Sequence, residues 1–245
     1  MKDFNIDEFI SKHEVWLNKS GGGRKEHFKM IIEKLVALGK PLTIVETGTI
    51  WAPLSDPMGA FTYVFGDLVH NYTGGKLITI DLSPLHLEAA KETTKEFSDS
   101  IEYVLSDSVA YLKSMTDEQV GEVDFFYFDS YDFQAPDPIP SQTHHLRELL
   151  AVYDRVSDDV ILSVDDNLPP GSWLEWYWYT EDKNGNKNVT HTEKYAGVPP
   201  SRWWGKGTFV DYFLAEVEGW ERTHTLNESV MQVLTYTKKK GYLNS

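Results

Sequence analysis

Four short apolar runs in this chain each end on acidic residues. They are Leu42-Thr43-Ile44-Val45-Glu46, Lys76-Leu77-Ile78-Thr79-Ile80-Asp81, Val123-Asp124-Phe125-Phe126-Tyr127-Phe128-Asp129, and Val160-Ile161-Leu162-Ser163-Val164 with Asp165-Asp166-Asn167 behind it. Continuous apolar runs of this length, separated by helical stretches, read as parallel strands buried on both faces. In open α/β sheets, ligands bind beyond the carboxyl ends of the strands. The pattern therefore lines one sheet edge with carboxylates, where a cofactor and a substrate would sit.

The stretches between the runs supply the helices. Residues 1–23 read as an N-terminal arm, helical up to the break at Ser20-Gly21-Gly22-Gly23. Phe28, Ile31, Ile32, Leu35 and Val36 then follow the spacing of an amphipathic helix, which Gly39 and Pro41 end. Strand 42–47 leads to a helix at 60–71, strand 76–81 to a helix from Pro84, and a short strand at 101–104 to a helix at 108–115. Strand 123–129 leads to a helix at 141–156, and strand 160–165 follows. After a last helix at 207–217, the short link between strands 220–225 and 230–237 favours an antiparallel hairpin, since a parallel crossover needs a dozen or more residues. The fold class expected is α/β: a Rossmann-like, doubly wound, mostly parallel seven-stranded sheet with a C-terminal antiparallel hairpin and helices on both faces. All of 1–245 is read as one domain, with 168–206 as an insert carrying Trp173, Trp176, Trp178, Trp203 and Trp204. That insert suits a lid over the substrate or an interface with a second copy, and residues 180–187 read as its exposed hairpin tip.

Composition narrows the function. A formal net charge of −15 argues against a nucleic-acid partner, which needs clustered Lys and Arg. The small basic clusters Arg24-Lys25 and Lys238-Lys239-Lys240 read as solvated. With no cysteine there is no disulfide, thiolate metal site or Cys nucleophile. No run approaches the ~18 apolar residues of a membrane span, and the N-terminus lacks a signal-peptide core. The expectation is a soluble cytoplasmic enzyme with no membrane partner.

Glu46-Thr47-Gly48-Thr49, Thr79-Ile80-Asp81 and Ser106-Asp107-Ser108, on five parallel-type strands closed by a hairpin, resemble the class I S-adenosylmethionine-dependent methyltransferases across roughly residues 28–237. The resemblance implies that Glu46, Thr47 and Gly48 receive the methionine part of S-adenosyl-L-methionine, Asp81 the ribose, and Asp107 and Ser108 the adenine edge, with Asp129 also against the cofactor. Each has a physical rationale. A residue without Cβ lets the backbone approach a ligand closely, and a carboxylate can accept from both ribose hydroxyls. Each also has a structural alternative, since Asp81, Ser83 and Asp107 all stand where helix N-caps occur. The chain departs from the family pattern after Gly48, where Ile50-Trp51 replaces a second glycine.

Asp129-Ser130-Tyr131-Asp132 and Asp165-Asp166-Asn167 further resemble the divalent-metal site of the catechol-type and macrolide-sugar O-methyltransferases. This implies Mg2+ at Asp129, Asp165 and Asp166, a hard-oxygen set that suits the ion. The metal would acidify and orient a hydroxyl of a small substrate. The alternative is that these carboxylates are structural. Related enzymes carry a Lys or His base three residues after the strand-four Asp, where this chain has Asp132, so Asp132, His144 and His145 are the candidate bases. The competing readings are a nicotinamide-dependent oxidoreductase, disfavoured because no G-x-G-x-x-G follows the first strand, and a catalytically inactive binding module of the same fold.

Overall fold

The computed structural model describes residues 4–17, 23–52, 60–181, 187–196, 203–223 and 232–241. Strands β1 (Leu42–Thr47), β2 (Gly75–Asp81), β3 (Ile101–Leu105), β4 (Phe125–Phe128) and β5 (Ile161–Leu168) are parallel to one another. Strands β9 (Trp220–Thr223) and β10 (Gln232–Lys238) close the sheet as an antiparallel pair, in the order β3-β2-β1-β4-β5-β10-β9. β10 inserts between β5 and β9, antiparallel to both. This is the expected seven-stranded architecture, with one addition: β8 (Trp204–Gly205) pairs antiparallel with the end of β5. Because β1 has β2 on one side and β4 on the other, the chain reverses its direction of growth there and leaves a crevice beyond the strand ends.

Strand alternation divides the core into two layers. Phe125 and Tyr127 of β4 face a layer built from α1 (Ile6–Lys12), α2 (Glu14–Leu17), α3 (Gly23–Ala37) and α4 (Phe61–Asp67). Phe126 and Phe128 face the opposite layer, with Leu149 and Val152 of α8 (Ile139–Val152) and Val210 and Leu214 of α9 (Thr208–Glu216). Leu112 of α6 (Ser108–Ser114) and Val120 of α7 (Asp117–Gly121) join this second layer, whereas Ala90 of α5 (Pro84–Thr93) packs with Ile50 and Ala60 in a small separate cluster. α5 starts as its sequence dictates: Ser83 caps it by accepting from the His86 amide at 3.3 Å, and Pro84 opens the first turn.

The N-terminal arm is helical and packs on the sheet, with Phe9, Ile10 and Leu17 buried in the first layer. Trp203 belongs to the second core layer and is neither lid nor interface. The insert forms a two-stranded antiparallel sheet, β6 (Trp173–Glu181) with β7 (Lys187–Ala196). Most of its expected tip, 182–186, lies outside the described residues, as does the 226–229 link. Among the described residues, no helix is long and apolar enough to cross a membrane.

Candidate active site

The crevice is a cleft of about 720 Å³ at the carboxyl ends of β1, β2, β4 and β5. Gly48 forms its floor with φ 81°, and a Cβ there would stand 2.6 Å from the Asp129 carbonyl oxygen. Only glycine permits the β1 and β4 turns to close on each other this way. Asp81 stands at the end of β2, where its carboxylate accepts from the amides of Ser83 (2.7 Å) and Thr49 (3.2 Å). His86 Nδ1 lies 3.3 Å from it. These contacts fix the carboxylate and leave it acceptor capacity toward the cleft. A side pocket of about 60 Å³ continues from Asp81 and Gly48 toward Ser106, Ser108, Tyr131 and His144. Gly48 and Asp81 line both spaces, so the two form one elongated crevice.

The other residues singled out in the sequence fall into distinct places. Ser108 lines the side pocket and meets His144 Nε2 at 3.0 Å, while the His144 ring lies 5.5 Å from that of Tyr131. His144 thus belongs to the narrow pocket and not to the wide cleft. Asp107 caps α6 by accepting from the Ala110 amide at 2.8 Å and does not line the crevice. Thr47 and Glu46 lie beneath the floor: Thr47 Oγ1 accepts from the Asp129 amide at 3.3 Å, and Glu46 accepts from Thr79 Oγ1 at 2.8 Å. Burial lifts the Glu46 carboxyl to about 8, which makes it neutral at pH 7. His145 is buried away from the cleft, with its Nδ1–H donated to the Ser141 carbonyl at 2.8 Å. Burial holds this imidazole down at about 4, so it stays neutral. Of the three candidate bases, only Asp132 lines the wide cleft.

Asp129, Asp165 and Asp166 do converge. Consecutive strand residues normally point to opposite faces, but Asp166 adopts φ 52° and breaks the alternation, so both β5 carboxylates line the cleft. Asn167 turns away and donates to the carbonyls of Val164 (2.9 Å) and Asp165 (2.8 Å). The converging carboxylates nonetheless form no open ligand set. Arg24 Nη2 sits 2.5 Å from Asp165 Oδ1 and 3.0 Å from Asp166 Oδ1. Lys206 Nζ is 3.0 Å from Asp166 Oδ2 and also in direct contact with Asp129 Oδ1. The Tyr127 hydroxyl donates to Asp165 Oδ2 at 2.7 Å. The expected Mg2+ site does not fit these residues, because two cationic side chains already hold the oxygens the ion would need. Among the described residues, no cluster of acidic or histidine side chains is arranged to bind a metal.

With all three carboxylates ionised, two cations leave one negative charge in this largely enclosed cluster. Burial pushes Asp129 up to about 7, with Lys206 pulling it down and Asp165 and Asp166 pushing it further up. Burial also opposes the ionisation of Asp166, but Lys206 and Arg24, one on each side, hold it below the usual carboxylate range.

No family model matches the chain, and no curated protein matches it. Solved structures do. A Streptococcus mutans protein assigned as a methyltransferase and solved in complex with SAH matches with a TM-score of 0.51 at 11% identity, over 86% of this chain and 97% of that one. A Geobacter sulfurreducens methyltransferase matches with a TM-score of 0.50 at 11% identity, over 98% of this chain and 91% of that one. The chain shares the Rossmann-like α/β fold of these structures.

On that fold, two residues of the site went unread in the sequence. Arg24 is not part of a solvated basic cluster: its side chain is 10% exposed, and its guanidinium lies over the Phe61 ring at 5.8 Å. Lys206 is 1% exposed. Its signal was present, since a lone lysine between two glycines after Trp203-Trp204 has no solvated neighbours to account for it. Lys238, also read as solvated, is buried and donates to the Val156 carbonyl at 2.8 Å.

Proposed function

We propose that this protein is an S-adenosylmethionine-dependent methyltransferase acting on an oxygen of a small hydroxylated molecule. The observation that carries the reading is the two-part crevice with Asp81 at its junction. A nucleoside needs a narrow slot for its base, a fixed acceptor for its ribose hydroxyls, and room beyond for the rest of the molecule. The side pocket, Asp81 and the floor at Gly48 offer these in that order. The close approach that Gly48 allows is the fit expected for the methionine part.

When bound, S-adenosylmethionine supplies an activated methyl group. Asp81 would hold the ribose, and Ser108 and His144 would border the adenine. The wide cleft would take the acceptor against Asp129 and Asp132, and the order these groups impose supplies most of the rate enhancement. Asp129 is the better base, because its proton affinity lies in the neutral range. It would take the proton of the acceptor hydroxyl. The acidic lining favours a neutral or cationic acceptor and disfavours nucleic acid.

Calorimetric titration with S-adenosylhomocysteine tests the reading. Saturable micromolar binding is expected. No heat with that ligand, together with binding of NADH, would replace this reading with the oxidoreductase.

A further inference from the structure

The ends of β4 and β5 are joined by a cation that belongs to the chain. We propose that Lys206 is a tethered substitute for a divalent ion: a positioning residue whose ammonium holds Asp129 and Asp166 in place and keeps metal out. The purpose given to the site rests on the methyl-transfer reading, whereas the exclusion of metal stands on the geometry below.

An ammonium has three hydrogens to donate. Lys206 Nζ contacts Asp129 Oδ1, Asp166 Oδ2 at 3.0 Å and the Asp129 carbonyl at 3.5 Å, so all three have acceptors. The backbone that carries it is pinned to β5. The Lys206 amide donates to the Asp166 carbonyl at 3.2 Å, and the Gly207 amide donates to Asn167 Oδ1 at 2.7 Å. A Cβ on Gly205 would lie 2.1 Å from the Asp166 carbonyl oxygen, so this approach requires glycine. Asn167, the third residue of the acidic end of β5, is thus part of the clamp that delivers the lysine.

A divalent ion would have to take the same Asp129 and Asp166 oxygens at about 2.0–2.1 Å, as Mg2+ requires. Lys206 could not yield them without opening the β5–β8 pair or leaving a buried ammonium unpaired, which is strongly unfavourable. Arg24 closes the remaining side of Asp165 and Asp166. A tethered cation gives the carboxylates a fixed partner whatever the supply of metal.

The test is electron paramagnetic resonance of Mn2+ titrated into the purified protein, with thermal melting beside it. The wild type should leave the free-ion signal intact, and neither EDTA nor Mg2+ should shift its melting temperature. Lys206→Ala bares the carboxylates and should bind Mn2+ at least about tenfold more tightly than the wild type, as the loss of one buried positive charge beside the site implies. Adding Asp129→Asn to that variant should abolish the gain. Mn2+ bound by the wild type and lost in Asp166→Asn would overturn the proposal. So would a Lys206→Ala protein that melts cooperatively and ignores Mn2+. If Lys206→Ala does not fold, the wild-type titration still decides. These arms need no S-adenosylhomocysteine, so a failed calorimetric titration would sink the methyltransferase reading alone.

Discussion

The guanidinium of Arg24 lies 2.5 Å from Asp165 Oδ1, tying the helix nearest the start of the chain's parallel core to a strand 141 residues later. The pair is enclosed: the side chains are 10% and 3% exposed. Such pairs are worth little against an apolar replacement, but removing one partner strands the other charge. Arg24→Met should therefore lower the unfolding free energy by about 3–5 kcal/mol. Arg24→Met with Asp165→Asn should recover part of the loss, because the double variant returns the cluster from two uncompensated negative charges to one, as in the wild type. Urea denaturation of the three proteins reads this directly. Equal midpoints for wild type and Arg24→Met would show that the pair contributes nothing.

Asp81→Ala should weaken S-adenosylhomocysteine binding by about 1.5–3 kcal/mol, the usual loss for hydrogen bonds to a charged acceptor. That is a roughly ten- to more than hundredfold rise in Kd on titration. An unchanged Kd would mean that Asp81 serves only its own turn, through the Ser83 and Thr49 amides.

Glu46 should impose a pH dependence on stability. Its carboxyl is lifted to about 8 in the fold, chiefly by burial, from an ordinary value of 4.5. The native state therefore keeps a proton that the unfolded chain has lost across this interval. Stability from this group is fully present below about 4.5 and is lost as pH rises toward about 8. Glu46→Gln keeps the acceptor for Thr79 without the ionisation. Its melting temperature should hold up better than wild type's as pH rises from about 4.5 to about 8. Parallel melting curves for the two across that range would contradict the assignment.

Methyl transfer should rise with pH through about 7 as Asp129 loses its proton, and Asp129→Asn should lose most of the rate. His145→Gln should leave the position of that rise unchanged, because His145 is already neutral, with a value near 4, and lies outside the cleft. Single-turnover rates against pH in the two variants separate these roles. A rise that disappears in His145→Gln and survives in Asp129→Asn would reverse them.

Local pattern carried the fold because each element announces itself within a few residues. Ser83-Pro84 starts a helix, Gly39 and Pro41 end one, and Phe125 to Phe128 alternate between the two core layers. Strand ends can be read the same way, so Gly48, Asp81, Asp129, Asp132, Asp165 and Asp166 could be placed at one edge before any contact was known. Position at a strand or helix end does not fix a side chain's role. Asp107 spends its carboxylate on an N-cap, and Glu46 and His145 are buried, because the pattern that marks a strand or helix end does not say which way its side chain turns.

The sequence by itself determined the order of strands and helices and the row of carboxylates at their ends. These depend on local propensity and on hydrophobic period, which act over short stretches of chain. Only the tertiary structure decided what those carboxylates face. Arg24 arrives from a helix before the first strand and Lys206 from the turn between β8 and α9, and a left-handed turn at Asp166 lets both reach the same cluster. No local rule couples positions so far apart in the chain. Their meeting follows from the packing of α3 and the pairing of β8 against β5, and it turns an apparent metal site into a closed network of charges.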